Sequence, residues 1–137
     1  ADRIVPRSEF EDGPARPMDA GTWAGAIDAV GGDTLATILS QVQRHGSVAA
    51  FGNAGGHALH TSVLPFILRG VNLLGIDSNT CPNARRRTAW ERLADLLTDT
   101  HYERIHAETI ALDAIPEAAR RIVEGQVQGR ILVDVAA

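Results

Sequence analysis

Two histidines, His57 and His60, stand three residues apart. On a helix that spacing can present two imidazoles to one metal ion. Here they lie in a glycine-flanked loop with no third ligand nearby, so solvent-facing histidines are the expectation. Cys81 precedes proline, and Arg85 alone does not supply the electropositive setting a reactive thiol needs. Asp28 sits among apolar neighbours and must meet a hydrogen-bond donor, either structural or on a ligand, with the structural role favoured. Asp77-Ser78 closes an apolar run, where a serine could donate to a carboxamide or a phosphate. Arg85-Arg86-Arg87 opens a helical segment, a place where the dipole disfavours positive charge by about 0.3–1 kcal/mol per residue. An anionic ligand at that helix start would account for the cluster. A solvated cluster paired with acids would account for it equally, and is favoured.

The remaining candidate is a stretch rather than a single residue. Val48-Ala49-Ala50-Phe51 is followed by Gly52, Asn53, Gly55 and Gly56. A short continuous apolar run fits a strand buried on both faces. Glycines after it permit positive φ and leave room for a ligand, and ligands of open parallel sheets sit beyond the carboxyl ends of strands. The competing reading is a strand followed by a flexible turn. No Ser/His/Asp arrangement, paired carboxylates, G-x-G-x-x-G or G-x-x-x-x-G-K-[ST] is present.

The elements that would position these residues alternate. Arg3-Ile4-Val5 predicts a very short strand, and Ser8 a brief helical turn. Ala26 to Val30 predicts a strand closed by Gly31-Gly32. Asp33 would cap a helix carrying Leu35, Ile38, Leu39 and Val42, which Gly46 ends. Pro65 and Gly70 bracket a short helix, and Val71 to Ser78 predicts a strand. Pro82-Asn83 opens a longer helix with Trp90, Leu93, Ala94 and Leu97 on one face. Glu108 to Leu112 reads as extended, Ile115 to Glu124 as helix and Arg130 to Val135 as strand. This alternation predicts an α/β fold with a mostly parallel sheet.

Composition narrows the function classes. With 137 residues, 45% of them hydrophobic and 22% charged, the chain suits one ordered domain. A net charge of −4 argues against a nucleic-acid surface. One cysteine excludes an internal disulfide framework. No apolar run is long enough to span a bilayer, so no membrane partner and a cytoplasmic location are expected. The first residue, Ala1, falls inside an apparent strand, as it would in a fragment, although methionine removal or numbering would also explain it.

Several segments, taken in order, carry a resemblance. They are Trp23 to Gly32, Gly52-Asn53-Ala54-Gly55-Gly56, Pro65 to Val71, Gly75-Ile76-Asp77-Ser78, Arg85-Arg86 with Ala89-Trp90, and Gln128-Gly129-Arg130. The chain resembles the C-terminal part of the quinone-oxidoreductase-like acrylyl-CoA reductases, on the zinc-independent side of the medium-chain dehydrogenase/reductase superfamily. The resemblance implies an incomplete Rossmann-type parallel sheet holding strands 3, 4, 5 and 6, with C-terminal segments that return to a GroES-like catalytic domain. Residues 1–104 would belong to the NADP-binding domain and 105–137 would pack back on the catalytic domain. The phosphate-binding glycine turn would lie upstream of Ala1.

The same resemblance implies NADPH as cofactor and reduction of an α,β-unsaturated thioester, acrylyl-CoA giving propionyl-CoA. A quinone or enone reductase is the alternative, and a non-catalytic α/β binding module the third reading if the chain is complete. It implies cofactor contacts at Arg7 near the adenosine end, at Asn53, and at Ile67 and Ser78 near the nicotinamide half. Where the family often has an asparagine before the Gln-x-Gln-Gly-Arg turn, Glu124-Gly125 stands, and that contact is not carried over. No catalytic residue and no metal ligand is named, and Arg85 to Arg87 are candidates to face CoA phosphates. The expected assembly is a homodimer through Leu73 to Ile76. The expected partners are a CoA thioester or enone, and an isolated fragment would be inactive, poorly stable or self-associated.

Overall fold

The computed structural model describes residues 2–14 and 16–136, and they form two compact units, divided between Cys81 and Pro82. In the first, a three-stranded sheet has β2 (Val42–Ala50) at its centre, flanked by β1 (Trp23–Asp28) and β3 (Asn72–Gly75), all parallel. Helices α1 (Gly32–Gln41) and α2 (Leu64–Arg69) make the crossovers. Parallel neighbours require such connections, and the strand–helix alternation of the sequence supplies them.

Register decides which face is core. Ala26, Val48 and Leu73 form one row across the sheet, and Ile27, Ala49 and Leu74 the next. The first row packs with Leu35 and Leu39 of α1, and with Val42 and Val71. In the second, Ile27 is 81% and Leu74 49% exposed. The expectation that the Val48 strand is buried on both faces is therefore corrected: adjacent side chains point to opposite faces, and the described core covers one.

Helix α1 begins one residue before Asp33, which sits in the first turn without capping it by its side chain. It ends at Gln41 rather than at Gly46. The chain turns directly into β2, pairing Trp23 with Val42 and then Gly25 with Ser47, so that residues 43–46 bulge out. His45 takes a positive φ of 62° in that bulge. Helix α2 ends as its sequence predicts, with Gly70 left-handed at φ 63° and its amide donating to the Phe66 carbonyl at 3.0 Å.

Arg69 fastens these elements together. One guanidinium nitrogen donates to the carbonyls of Ser40 at 2.9 Å and Val42 at 3.0 Å, and the other donates to Asp19. Those acceptors lie at the end of α1, the start of β2 and the loop before β1.

Residues 3–5 do not form the predicted strand. A strand is held by its neighbours' backbone groups, and among the described residues no strand pairs with these. The segment instead lays the Arg3 guanidinium 5.9 Å from the Trp23 ring. The brief turn at Arg7–Phe10 is a 3-10 helix behind Pro6.

The second unit holds α3 (Asn83–Leu96), α4 (Asp99–Ile105), β4 (His106–Ala111), α5 (Ile115–Val123) and β5 (Arg130–Asp134). Strands β4 and β5 pair in parallel. Helix α4 was not predicted. Its start is marked by a Thr98–His101 capping box, with histidine where glutamate is usual. Of the apolar face predicted for α3, Leu97 is the extended residue that ends the helix, Trp90 is 67% exposed, and no residue of α3 is buried. Arg121 of α5 pairs with Glu108 of β4, each side chain about one-third exposed.

Candidate functional site

The carboxyl end of β1 is organised by Asp28. Its side chain is buried, and its two carboxylate oxygens accept the amides of Val30 at 3.3 Å and Gly31 at 3.0 Å. A buried carboxylate needs such donors, and these are main-chain, as the structural reading of Asp28 expects.

The turn that Asp28 holds serves as a rail for the next loop. Phe51 N–H donates to Asp28 C=O at 3.0 Å, Ala54 N–H to Ala29 C=O at 3.3 Å, and Gly55 N–H to Val30 C=O at 2.8 Å. Gly31 and Gly56 complete the pairing as a parallel bridge. The glycines are required by this approach of backbone to backbone. A Cβ on Gly52 would lie 2.5 Å from the Ala29 oxygen, and one on Gly55 2.8 Å from a Val30 methyl. The glycines of this end thus serve loop-to-loop packing, and Gly52 also lines the depression beside it.

Asn53 rides exposed on this paired loop. With Phe51, Gly75, Ile76 and Asp77 it lines an open depression of about 610 Å³ beyond the carboxyl ends of β2 and β3. Ile76 N–H donates to Ala50 C=O at 2.9 Å, continuing the sheet's pairing just past β3. A Cβ on Gly75 would meet no atom within 4 Å, so the floor is open there. Phe51 and Ile76 give it apolar walls and Asn53 a carboxamide. Among the described residues of the lining, Asp77 alone is charged. Its carboxylate accepts the amides of Asn79 at 3.1 Å and Thr80 at 2.9 Å, and the Thr80 hydroxyl.

The four predicted contact residues are not all gathered here. Asn53 lines the depression, and Ser78 directly follows Asp77, its amide donating to Ile76 C=O at 3.0 Å. Ile67 is exposed on α2 but is not part of the lining. Arg7 lies on the 3-10 turn and pairs with Glu11 at 2.8 Å. Phe51 and Ile76 join the lining without having been singled out. Their signal is positional: each immediately follows a strand's last residue. The glycine pairs 31–32 and 55–56 likewise signalled close backbone approach.

In the second unit, Arg85 and Arg92 flank Ala84, Thr88 and Ala89 along a shallow trough of about 430 Å³ on α3. Among the described residues no cluster of three or more His, Cys, Asp or Glu could hold a metal, and no helix is long and apolar enough to cross a membrane.

No sequence-family profile matches the chain. Individual proteins do. The acrylyl-CoA reductase AcuI of Ruegeria pomeroyi is 49% identical over 100% of this chain and 41% of its own length. The yhdH oxidoreductase of Salmonella enterica, solved in complex with NADP, superposes with a TM-score of 0.92 at 48% identity, over 98% of this chain and 41% of that one. YhfP of Bacillus subtilis, provisionally named a quinone oxidoreductase, is 40% identical over 97% of this chain and 40% of its own length. Its structure with NAD bound gives a TM-score of 0.86. The chain spans about two-fifths of the length of these relatives. Matched along nearly all its residues, it is similar to a C-terminal portion of the acrylyl-CoA reductase and quinone oxidoreductase proteins of the medium-chain dehydrogenase/reductase type.

Proposed function

We propose that this chain forms part of the cofactor-binding half of an NADPH-dependent reductase that saturates the C=C bond of an α,β-unsaturated thioester, acrylyl-CoA being the leading substrate. The observation that carries the reading is the 49% identity, over the whole chain, to a protein named acrylyl-CoA reductase. The depression supports it locally. Its carboxamide, apolar walls and open floor fit the uncharged nicotinamide and ribose end of a dinucleotide. The phosphate-bearing end is assigned elsewhere: Arg7, half of an exposed ion pair, is the residue of this chain placed on the adenosine side.

Bound NADPH supplies the hydride, and the chain's own groups orient and shield. Asn53 hydrogen-bonds the cofactor from its rigid loop. Ser78 and Ile67 bound the nicotinamide side, and Phe51 and Ile76 keep water from it. The catalytic groups are not assigned to this chain. Residues 1–104 serve the cofactor domain and 105–137 pack on the catalytic domain, in a zinc-independent, cytoplasmic enzyme. The uncovered row of Ile27 and Leu74 is consistent with further chain or a second copy lying against the sheet. A homodimer through Leu73 to Ile76 is the assembly proposed. Leu74→Lys should then yield monomers in sedimentation.

A second reading, reduction of a quinone or other enone, is favoured by the name of the YhfP relative. Assaying the full-length protein with NADPH and either acrylyl-CoA or a soluble quinone separates them. Turnover of the quinone alone would replace the first reading with the second, and activity with neither would remove both.

A further inference from the structure

We propose that Asp28 is a positioning residue for the cofactor site: its buried carboxylate fixes the turn against which the Asn53 loop is registered. The inference rests on the cofactor reading above, and assigns to that site a residue that lines none of its surface.

Three observations combine. Asp28 is 2% exposed, and both carboxylate oxygens are occupied by the amides of Val30 and Gly31. The carbonyls that follow, those of Ala29 and Val30, are thereby aimed at the neighbouring loop, where they accept Ala54 and Gly55. Asp28 C=O itself accepts Phe51 N–H. The residues so held bracket Asn53, and the contact leaves no slack: a Cβ on Gly31 would come within 3.3 Å of the Asn53 Cα. The carboxylate, the turn and the loop form one continuous hydrogen-bonded body. A change at Asp28 therefore moves the carboxamide of Asn53 without touching the ligand.

The test uses full-length protein and the shape-conserving variant Asp28→Asn, in which the side-chain amide replaces one of the two acceptors. Two readouts are taken. In hydrogen exchange without cofactor, the amides of Ala54 and Gly55 should exchange faster, while that of Val48 in the core should not change. In NADPH titration, Asp28→Asn should weaken binding by up to about fivefold, no more than Asn53→Ala itself, and in an Asn53→Ala background the same change should cost nothing further. Additive losses, or wild-type exchange at Ala54 and Gly55, would overturn the inference and leave the cofactor reading standing. Failure of the wild-type protein to bind NADPH would instead remove the cofactor reading and the positioning role with it. Should Asp28→Asn not fold, Asp28→Ser, whose hydroxyl keeps a single short acceptor, takes its place and is judged by the same cycle.

Discussion

Gly31 and Gly56 face each other so closely that a Cβ on Gly31 would lie 2.5 Å from the Gly56 carbonyl oxygen. Gly31 also holds φ 70° and ψ −158°, a region essentially reserved for glycine. Gly31→Ala therefore meets both strain and collision. It should lower unfolding free energy by about 1–3 kcal/mol, measured by denaturant titration. A loss within experimental error would mean that the two loops are not held together in solution.

Asn53 predicts the opposite pattern. Its exposed side chain makes no hydrogen bond among the described residues, so Asn53→Ala should leave stability within about 0.5 kcal/mol. If its carboxamide binds the cofactor, the same change should cost about 1 kcal/mol of NADPH affinity. Calorimetric titration checks the second figure, and an unchanged affinity would take Asn53 out of the site.

Arg69 is a structural residue by its contacts, three carbonyls on three separate segments. Hydrogen bonds to charged groups contribute about 1.5–3 kcal/mol each at most, and share that value when one guanidinium makes several. Arg69→Ala should therefore destabilise by about 2–3 kcal/mol. Arg69→Lys should recover only part, because a point ammonium cannot span the fork of acceptors. Full recovery by lysine would show that charge rather than geometry is what Arg69 supplies.

The hydrogen bond to Glu108, and then its charge, raise the Arg121 pKa above its ordinary value. A raised folded pKa gives stability that is present below the unfolded pKa and lost only as pH climbs through the folded one. For arginine that window lies above about pH 12. Arg121→Gln should thus lower the melting temperature by the same amount at about pH 6 and about pH 9. A difference that disappears at the higher value would contradict this assignment.

The middle of the chain was well marked in its sequence. Pro65 and Gly70 bracket α2 as their backbone preferences demand, and the apolar periodicity of Leu35 and Leu39 located α1 and its buried face. Arg3 to Val5 misled because β-type residues become a strand only beside a partner, which local sequence does not state. Helix α4 was hidden by a cap whose fourth residue is His101 instead of glutamate. At the site, glycine composition announced a special loop but not its purpose. Room for a ligand and room for another backbone make the same demand on a residue, and only the positions of Ala29 and Val30 distinguish them.

The pairing of those two loops also sets what can be exchanged between relatives. A chimera that imports residues 51–56 alone would set a foreign loop on a native rail, and its glycines would no longer match the carbonyls they must pass. The smallest transplantable unit is discontinuous, 28–32 together with 51–56. Attempts to retune this edge of the sheet by shuffling a single segment would select for repair of the seam before they selected for a new ligand.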